Sequence, residues 1–289
     1  MKLDIIIPIN NNEKQINKFY DDVKEILKNI KYNFIFVDNS STDDSLNALR
    51  KIYKSDDDHI KIISLSKSYT ENDLIHIGLK YTKSDLICVM NIEDNLSHVL
   101  KMYKFLNENK DYDCVCNCNK NVKNNIFRKI AIKYTKRNTD INNLDELSTL
   151  KMFRKNMLTG IMDLSNKYGY SNAIFSKIGF NIYYDNTYMG ETNKDSLTNY
   201  IFRYSDRPSK FVTIFGYILT TISIFYMIYM FIFSLNKISL LIFILLLNSG
   251  INFIVIGVLC NYLTKSLCII KSNQTYIIKE IIGIDENYL

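Results

Sequence analysis

The chain has 289 residues, with 36 Lys and Arg against 30 Asp and Glu, a formal net charge of +6, and 47% hydrophobic residues. The bases are spread out and mixed with acids, so no nucleic-acid footprint is expected. Nor does the +6 charge point to any acidic macromolecule beyond an anionic lipid surface.

The first 118 residues alternate between strand-like and helix-like segments. Leu3 to Pro8 is a short, nearly continuous apolar strand. Lys14 to Lys28 carries helical periodicity through Ile16, Phe19, Tyr20, Val23, Ile26 and Leu27. Further strands are expected at Asn33–Val37, Ile60–Ser64, Leu86–Met90 and Asp113–Asn117. Helices are expected at Asp44–Tyr53, Asp73–Tyr81 and Val99–Leu106. This βαβα order predicts an α/β domain with a mostly parallel sheet covered on both faces. Ligands of such sheets sit beyond the carboxyl ends of the strands, so the loops after Ile7, Val37, Ser64 and Met90 are the ones to inspect.

Cys114, Cys116 and Cys118 alternate, which puts their side chains on one face of a strand. A zinc site would want a C-x-x-C knuckle and a fourth ligand, so a buried strand face is the expectation, with reduced thiols. His59, His76 and His98 show no metal-ligand spacing. Beyond about Asn119 the pattern weakens, and Asn138–Asn143 reads as a polar loop.

Two runs near the C-terminus contain no charged residue: Phe211–Phe233 and Ile238–Leu263. Each is long enough to cross a bilayer as a helix, for which about 20 residues suffice. The link between them is so short that the spans must be antiparallel. Arg203, Arg207 and Lys210 precede the pair, Lys265 and Lys271 follow it, and Lys237 alone sits in the link. The positive-inside rule then places both ends in the cytoplasm, and Met1–Ile5 carries no signal-peptide pattern. The expected organisation is a cytoplasmic domain over 1–190, an amphipathic juxtamembrane segment over 191–210, a membrane hairpin over 211–263 and a cytoplasmic tail over 264–289.

The strand-end loops carry a resemblance. Pro8-Ile9-Asn10-Asn11-Asn12-Glu13 is similar to P-V-Y-N-E, and Val37-Asp38-Asn39-Ser40-Ser41-Thr42-Asp43-Asp44-Ser45 to V-D-D-G-S-T-D-G-T, of the family 2 glycosyltransferases. Lys67-Ser68-Tyr69 stands where that family has R-N-F, and Gly78-Leu79 where it has G-L. Asn261-Tyr262-Leu263 and Thr275 to Glu280 look like the E-Y-L and P-L-Y-I-V-R-E of the subgroup that moves sugars onto polyprenyl phosphates. Thr149–Lys155 resembles the acceptor-site segment of that subgroup, roughly D-F-R-L-M-S-R.

What this resemblance implies is specific. The fold would be the nucleotide-diphosphosugar transferase (GT-A) type. Pro8, Asn10, Asn12, Asp38 and Ser68 would hold the donor nucleotide. Asn91 and Glu93 would hold a divalent cation, Mg or Mn, because a hard cation on a diphosphate wants oxygen ligands. Glu93 and Asp94 would be the catalytic carboxylates, and Lys151, Arg154 and Lys155 would bind the acceptor phosphate. The partners would be a nucleotide-sugar donor, a polyprenyl (undecaprenyl) phosphate acceptor and the membrane, with transfer by inversion. The resemblance leaves open whether the chain forms a homo-oligomer.

The departures from the family pattern lie at the same loops. Asn91-Ile92-Glu93-Asp94-Asn95-Leu96 replaces D-A-D-L-Q-D. Asn12 stands for Glu, Asn39 for a second Asp and Lys151 for Arg. Thr187–Asn193 lacks both basic residues of R-x-x-G-x-S-K. An amide still ligates a metal through its carbonyl, but without charge. These changes keep a rival reading in play, a catalytically weakened paralogue that serves as a membrane binding partner.

Overall fold

The computed structural model describes residues 1–118, 147–171, 174–175, 178–185, 187, 207–233, 236–272 and 276–284. The polar loop expected at Asn138–Asn143, the segment Tyr188–Asn193 and most of the juxtamembrane segment, 191–206, lie outside the described residues. Among the described residues, one compact unit holds the α/β elements together with Tyr276–Ile284. A second unit holds nearly all of two long helices.

The α/β unit begins with β1 (Leu3–Ile9), α1 (Glu13–Ile26), β2 (Tyr32–Asp38), α2 (Ser45–Ser55) and β3 (Ile60–Leu65). It continues with α3 (Glu71–Leu79), β4 (Leu86–Val89), α4 (Leu96–Glu108), β5 (Cys114–Cys118), β6 (Leu147–Arg154), α5 (Leu158–Tyr168) and β7 (Ile182–Asp185). An eighth strand, β8 (Ile278–Ile282), comes from the C-terminal segment. The sheet order is β7-β5-β6-β4-β1-β2-β3-β8. Strands β4, β1, β2 and β3 are parallel neighbours, while β6 lies antiparallel on β4 and β8 antiparallel on β3.

The apolar runs explain this arrangement. Strand β1 is flanked on both sides and covered on both faces, so it reads as a continuous apolar run rather than an alternating one. Its Leu3, Ile5, Ile6, Ile7 and Ile9 are all fully buried. Each such side chain contributes roughly 1.5–3 kcal/mol relative to exposure. Alternate residues feed two cores. Ile5, Ile7 and Ile9 pack with the apolar faces of α1, α2 and α4, and Ile6 packs with α3 and α5.

Helix α3 sits directly on the sheet at Gly78, where a Cβ would come 2.5 Å from Ile6 Cγ2. Its start is fixed by a capping box between Thr70 and Asp73. The three alternating cysteines of β5 share the α3/α5 core, as expected for one strand face, and Cys114 Sγ lies 3.5 Å from Cys116 Sγ.

Within the stretch expected as the C-terminal tail, Ile278–Ile282 supplies an edge strand of the sheet. Its approach is pinned at the loop after β3: Ser66 N and Oγ donate to Ile277 O at 3.0 and 3.1 Å, and Ile277 N donates to Tyr69 Oη at 3.1 Å. Tyr276 packs edge-on against Tyr69 at 5.4 Å between ring centroids. An ion pair between Arg50 and Glu280 ties the strand to α2.

The second unit consists of α6 (Arg207–Phe233) and α7 (Lys237–Ser272). Lys210–Phe233 and Lys237–Leu263 are each long and apolar enough to cross a membrane, with mean hydropathies of 1.9 and 2.4. They meet through small residues. A Cβ on Gly216 would lie 2.7 Å from the backbone N of Ile254, and one on Gly250 2.9 Å from the backbone N of Thr220. Glycine at both positions is what lets the two backbones approach.

Candidate active site

The carboxyl ends of the parallel strands converge on a cavity of about 370 Å³. It opens where the chain reverses direction across the sheet. Strand β1 has β2 on one side and β4 on the other, and this switch point is where open α/β sheets hold ligands. Pro8, Asn10 and Asn12 line the cavity from β1, Asn39 from β2, and Asn91, Ile92 and Glu93 from β4. Ser68, Tyr69, Glu71 and Leu74 complete it from the loop after β3 and the first turns of α3.

Two backbone positions in the left-handed region shape the loops: Asn11, with φ 57°, and Ser40, with φ 54°. Asparagine tolerates this region better than other non-glycine residues, so Ser40 is the more strained of the two. The strain is held by reciprocal bonds between the loops. Asn11 N donates to Ser41 Oγ at 3.1 Å, and Thr42 N donates back to Asn11 Oδ1 at 2.9 Å. Asn12 N donates to Ser45 Oγ at 2.8 Å, and Glu13 N to Asp43 Oδ2 at 3.1 Å. A chain of side chains then runs across the cavity rim: Asn12 Nδ2 donates to Gln15 Oε1 at 2.7 Å, and Gln15 Nε2 to Glu93 Oε1 at 3.1 Å.

The opposite wall is fixed by Asn39. Its Nδ2 donates to Tyr69 O at 3.0 Å and its Oδ1 accepts from Tyr69 N at 2.7 Å. This amide clamps the loop that carries Ser68 and Tyr69, the same loop that the C-terminal segment holds from outside.

The lining is chemically one-sided. It presents four asparagine amides and two carboxylates, Glu71 and Glu93, and neither Lys nor Arg is among its described residues. Glu71 Oε1 is buried without a hydrogen-bond partner. Among the described residues no group of three or more His, Cys, Asp or Glu converges. Oxygen donors in this number suit a hard divalent cation that takes one or two carboxylates from the protein and its other ligands from bound phosphates and water.

Six of the residues singled out in the sequence line this cavity: Pro8, Asn10, Asn12, Ser68, Asn91 and Glu93. The other five do not. Asp38 is buried beneath it, its carboxylate accepting from Ser64 Oγ at 3.0 Å and Ser41 N at 3.3 Å. That is a scaffold role, and its neighbour Asn39 is the residue that faces the cavity. Asp94 lies on an adjoining cavity of about 330 Å³, with Lys14 and Lys18. Its Oδ2 accepts Asn91 N at 2.7 Å, closing the turn after β4.

Lys151 is 1% exposed, with Nζ 5.3 Å from the Phe175 ring centroid, so an incoming phosphate does not meet it at the surface. Arg154 and Lys155 are at the other end of the sheet. Strand β6 runs antiparallel to β4, so Lys151 pairs with Val89 but Arg154 pairs with Leu86. The five steps from Leu86 to Asn91 span roughly 16 Å at the rise of an extended strand. There the Arg154 guanidinium donates to the carbonyls of Leu106, Asn109 and Tyr112.

Sequence reasoning missed Tyr69, Glu71 and Asn39 as lining residues. The signal was present for the first two, since the loop after β3 opens on the same edge as the others.

A family model described as Glycosyl transferase family 2 matches residues 4–161. The chain is 25% identical to an uncharacterized glycosyltransferase, YkcC, of Bacillus subtilis (strain 168), over 99% of this chain and 95% of that protein. It is 24% identical to an undecaprenyl-phosphate 4-deoxy-4-formamido-L-arabinose transferase of Proteus mirabilis (strain HI4320), over 46% of this chain and 41% of the relative. Among solved structures, a glucosyl-3-phosphoglycerate synthase of M. tuberculosis shares the fold, with a TM-score of 0.50 and 13% identity over 70% of this chain and 80% of that one. The matched segment ends inside α5 and includes every loop that lines the cavity, and on this ground the chain belongs to glycosyl transferase family 2 and is a glycosyltransferase.

Proposed function

We propose that the chain transfers a sugar from a nucleotide-diphosphate sugar to a polyprenyl phosphate at the cytoplasmic leaflet of a membrane. The observation that carries this reading is the oxygen-lined cavity at the strand switch point, in a chain that also holds two membrane-length helices. Distant relatives named for undecaprenyl-phosphate transfer support the acceptor class. Arg203, Arg207 and Lys210 before the two apolar runs and Lys265 and Lys271 after them, against Lys237 alone in the link, support the leaflet.

In this reading Asn10, Asn12, Asn39, Ser68 and Tyr69 hold the nucleotide. Glu93 and the amide oxygen of Asn91 hold the divalent cation, Mg or Mn, which neutralises the charge that develops on the diphosphate leaving group. Without a cation, two carboxylates facing a diphosphate would repel it. The acceptor phosphate oxygen attacks the anomeric carbon as the bond from that carbon to the diphosphate breaks, with inversion. A phosphate monoester has its second pKa near ~6 and is largely a dianion at neutral pH. It needs positioning rather than a base. Asp94 can therefore serve the Asn91 turn without taking a proton.

The test is product formation. The purified chain in detergent, with Mg or Mn, is offered labelled nucleotide sugars and undecaprenyl phosphate. Lipid-linked product that falls at least about 100-fold in Glu93→Ala supports the reading. Absence of product together with absence of donor binding, for every nucleotide tried, favours the weakened paralogue. The uncharged Asn12, Asn39 and Asn91, at positions where the family pattern carries acids, are what motivate that alternative.

A further inference from the structure

The loop after β4 brings a single carboxylate to the cavity. Glu93 lines it, whereas Asp94 lies on the adjoining cavity with its Oδ2 on Asn91 N. Asn91 meets the cavity with an amide. An amide oxygen is a ligand for a hard divalent cation but carries no charge to offset it.

A second carboxylate comes from a different element. Glu71 is the first residue of α3 and lines the same cavity. Contacts further along the helix fix where it stands. A Cβ on Gly78 would lie 2.5 Å from Ile6 Cγ2 and 3.3 Å from Val37 Cγ2, so that side of α3 rests on β1 and β2. Leu74, four residues earlier, is on the same side and lines the cavity. Glu71, three residues before Leu74, continues that side above the carboxyl ends of the strands. Ile6 of β1 pairs with Val89 of β4, two residues before Asn91. Glu71 and Asn91 therefore reach one cavity from a helix above the sheet and from a strand within it.

Glu71 Oε1 is cut off from water and accepts no hydrogen bond. Neither Lys nor Arg is among the described lining residues, so the lining holds no cationic side chain for it. A carboxylate oxygen in that state is costly unless something binds it. A diphosphate does not, because like charges repel. A divalent cation does, and it commonly takes one or two carboxylates alongside phosphate oxygens and water. We propose that Glu71 is the second carboxylate of the cation site, supplying from α3 the charge that Asn91 lacks at the end of β4. The inference rests on the donor reading above and adds to Glu93 and Asn91 a ligand from outside the strand-end loops. A first-turn carboxylate also suits the helix dipole, but that effect acts on folding and is blind to metal.

The test titrates UDP and GDP, each by calorimetry, into the full chain in detergent, with Mn and with EDTA. Electron paramagnetic resonance of the same samples measures the Mn left free. Glu71→Gln keeps size and loses charge. It is expected to weaken Mn-dependent binding roughly tenfold and to leave more Mn free. Any residual binding in EDTA should be no weaker than in the parent chain. E71Q/N91D, which returns a carboxylate at the end of β4, should recover the parent affinity to within about threefold. Unchanged Mn-dependent binding in Glu71→Gln overturns the proposal. So does a loss that is equal in EDTA, or one that N91D does not repair, because Glu71 then bonds the nucleotide directly or only steadies the helix. If the parent chain binds neither nucleotide with Mn, the donor reading itself fails and takes this inference with it. Mn-dependent binding that is lost in Glu93→Gln but not in Glu71→Gln keeps the donor reading and overturns only the role of Glu71.

Discussion

The two ends of the central sheet use the same residue types in opposite ways. At the amino ends of the strands the buried charge of Asp4 is saturated. Asp4 is fully buried and accepts from Asn33 Nδ2 at 2.7 Å, Lys83 N at 2.7 Å, Ser84 N at 2.9 Å and Ser84 Oγ at 2.6 Å. Arg154 spends its guanidinium on three carbonyls beside it. At the carboxyl ends, Glu71 keeps a buried oxygen without a partner, beside a cavity lined by four asparagines of which Asn12 and Asn39 are already bonded within the loops. A saturated group is structural, and spare hydrogen-bonding capacity beside a cavity is what a ligand can use.

Breaking the saturated end should show the largest effect. Asp4→Ala leaves several buried donors without an acceptor, at about 1–3 kcal/mol each, and is expected to cost roughly 3–5 kcal/mol in total. Urea unfolding of the chain in detergent measures it. A cost below about 1 kcal/mol would mean that the amino end is not the rigid half. Next comes Arg154→Ala, expected to lose about 2–3 kcal/mol through the stranded carbonyls. Its KM for the lipid acceptor should stay within twofold of the parent chain, and a large rise in KM would return Arg154 to the acceptor site.

The carboxyl end is sharpened by pH. Burial, then the neighbouring Lys80 charge, lower the His76 pKa from 6.5 to about 4. Between those values the unfolded chain takes up a proton that the folded chain refuses. Stability is therefore full above about pH 6.5, falls as the pH drops toward 4, and levels off below. The contribution is on the order of 1–3 kcal/mol. Subtracting the pH–stability curve of His76→Gln isolates it, and a difference curve flat across that window would contradict the buried neutral ring. The smallest expected effect is at the tail. Tyr276 packs on Tyr69 and on the His76 ring, and its Oη lies 3.4 Å from Asp73 Oδ1. Tyr276→Ala should weaken donor binding about three- to tenfold by loosening the loop of Ser68 and Tyr69, with little change in kcat.

The same contrast explains how much was legible in the sequence. The apolar runs of β1 to β5 and the helices between them are local signals, and each element lies within a few residues of its expectation. Six of the expected site residues converge because strand-end loops in a parallel sheet all open on one edge. What sequence could not convey was direction. Asp38 and Asn39 are adjacent, yet only one faces the cavity, because successive side chains at a strand end point opposite ways. Arg154 follows Lys151 by three residues but sits at the far end, because β6 returns antiparallel. The docking of β8 on β3 joins residues more than 200 apart in the chain, a pairing that no local pattern encodes.

Calorimetric titration of a nucleotide diphosphate sugar into the detergent-solubilised chain, with and without Mn, tests the central claim most directly. The account expects binding that requires the metal and weakens by at least about tenfold in Glu93→Gln, which keeps size and loses charge. Binding of equal strength without metal, and unchanged in Glu93→Gln, would contradict it.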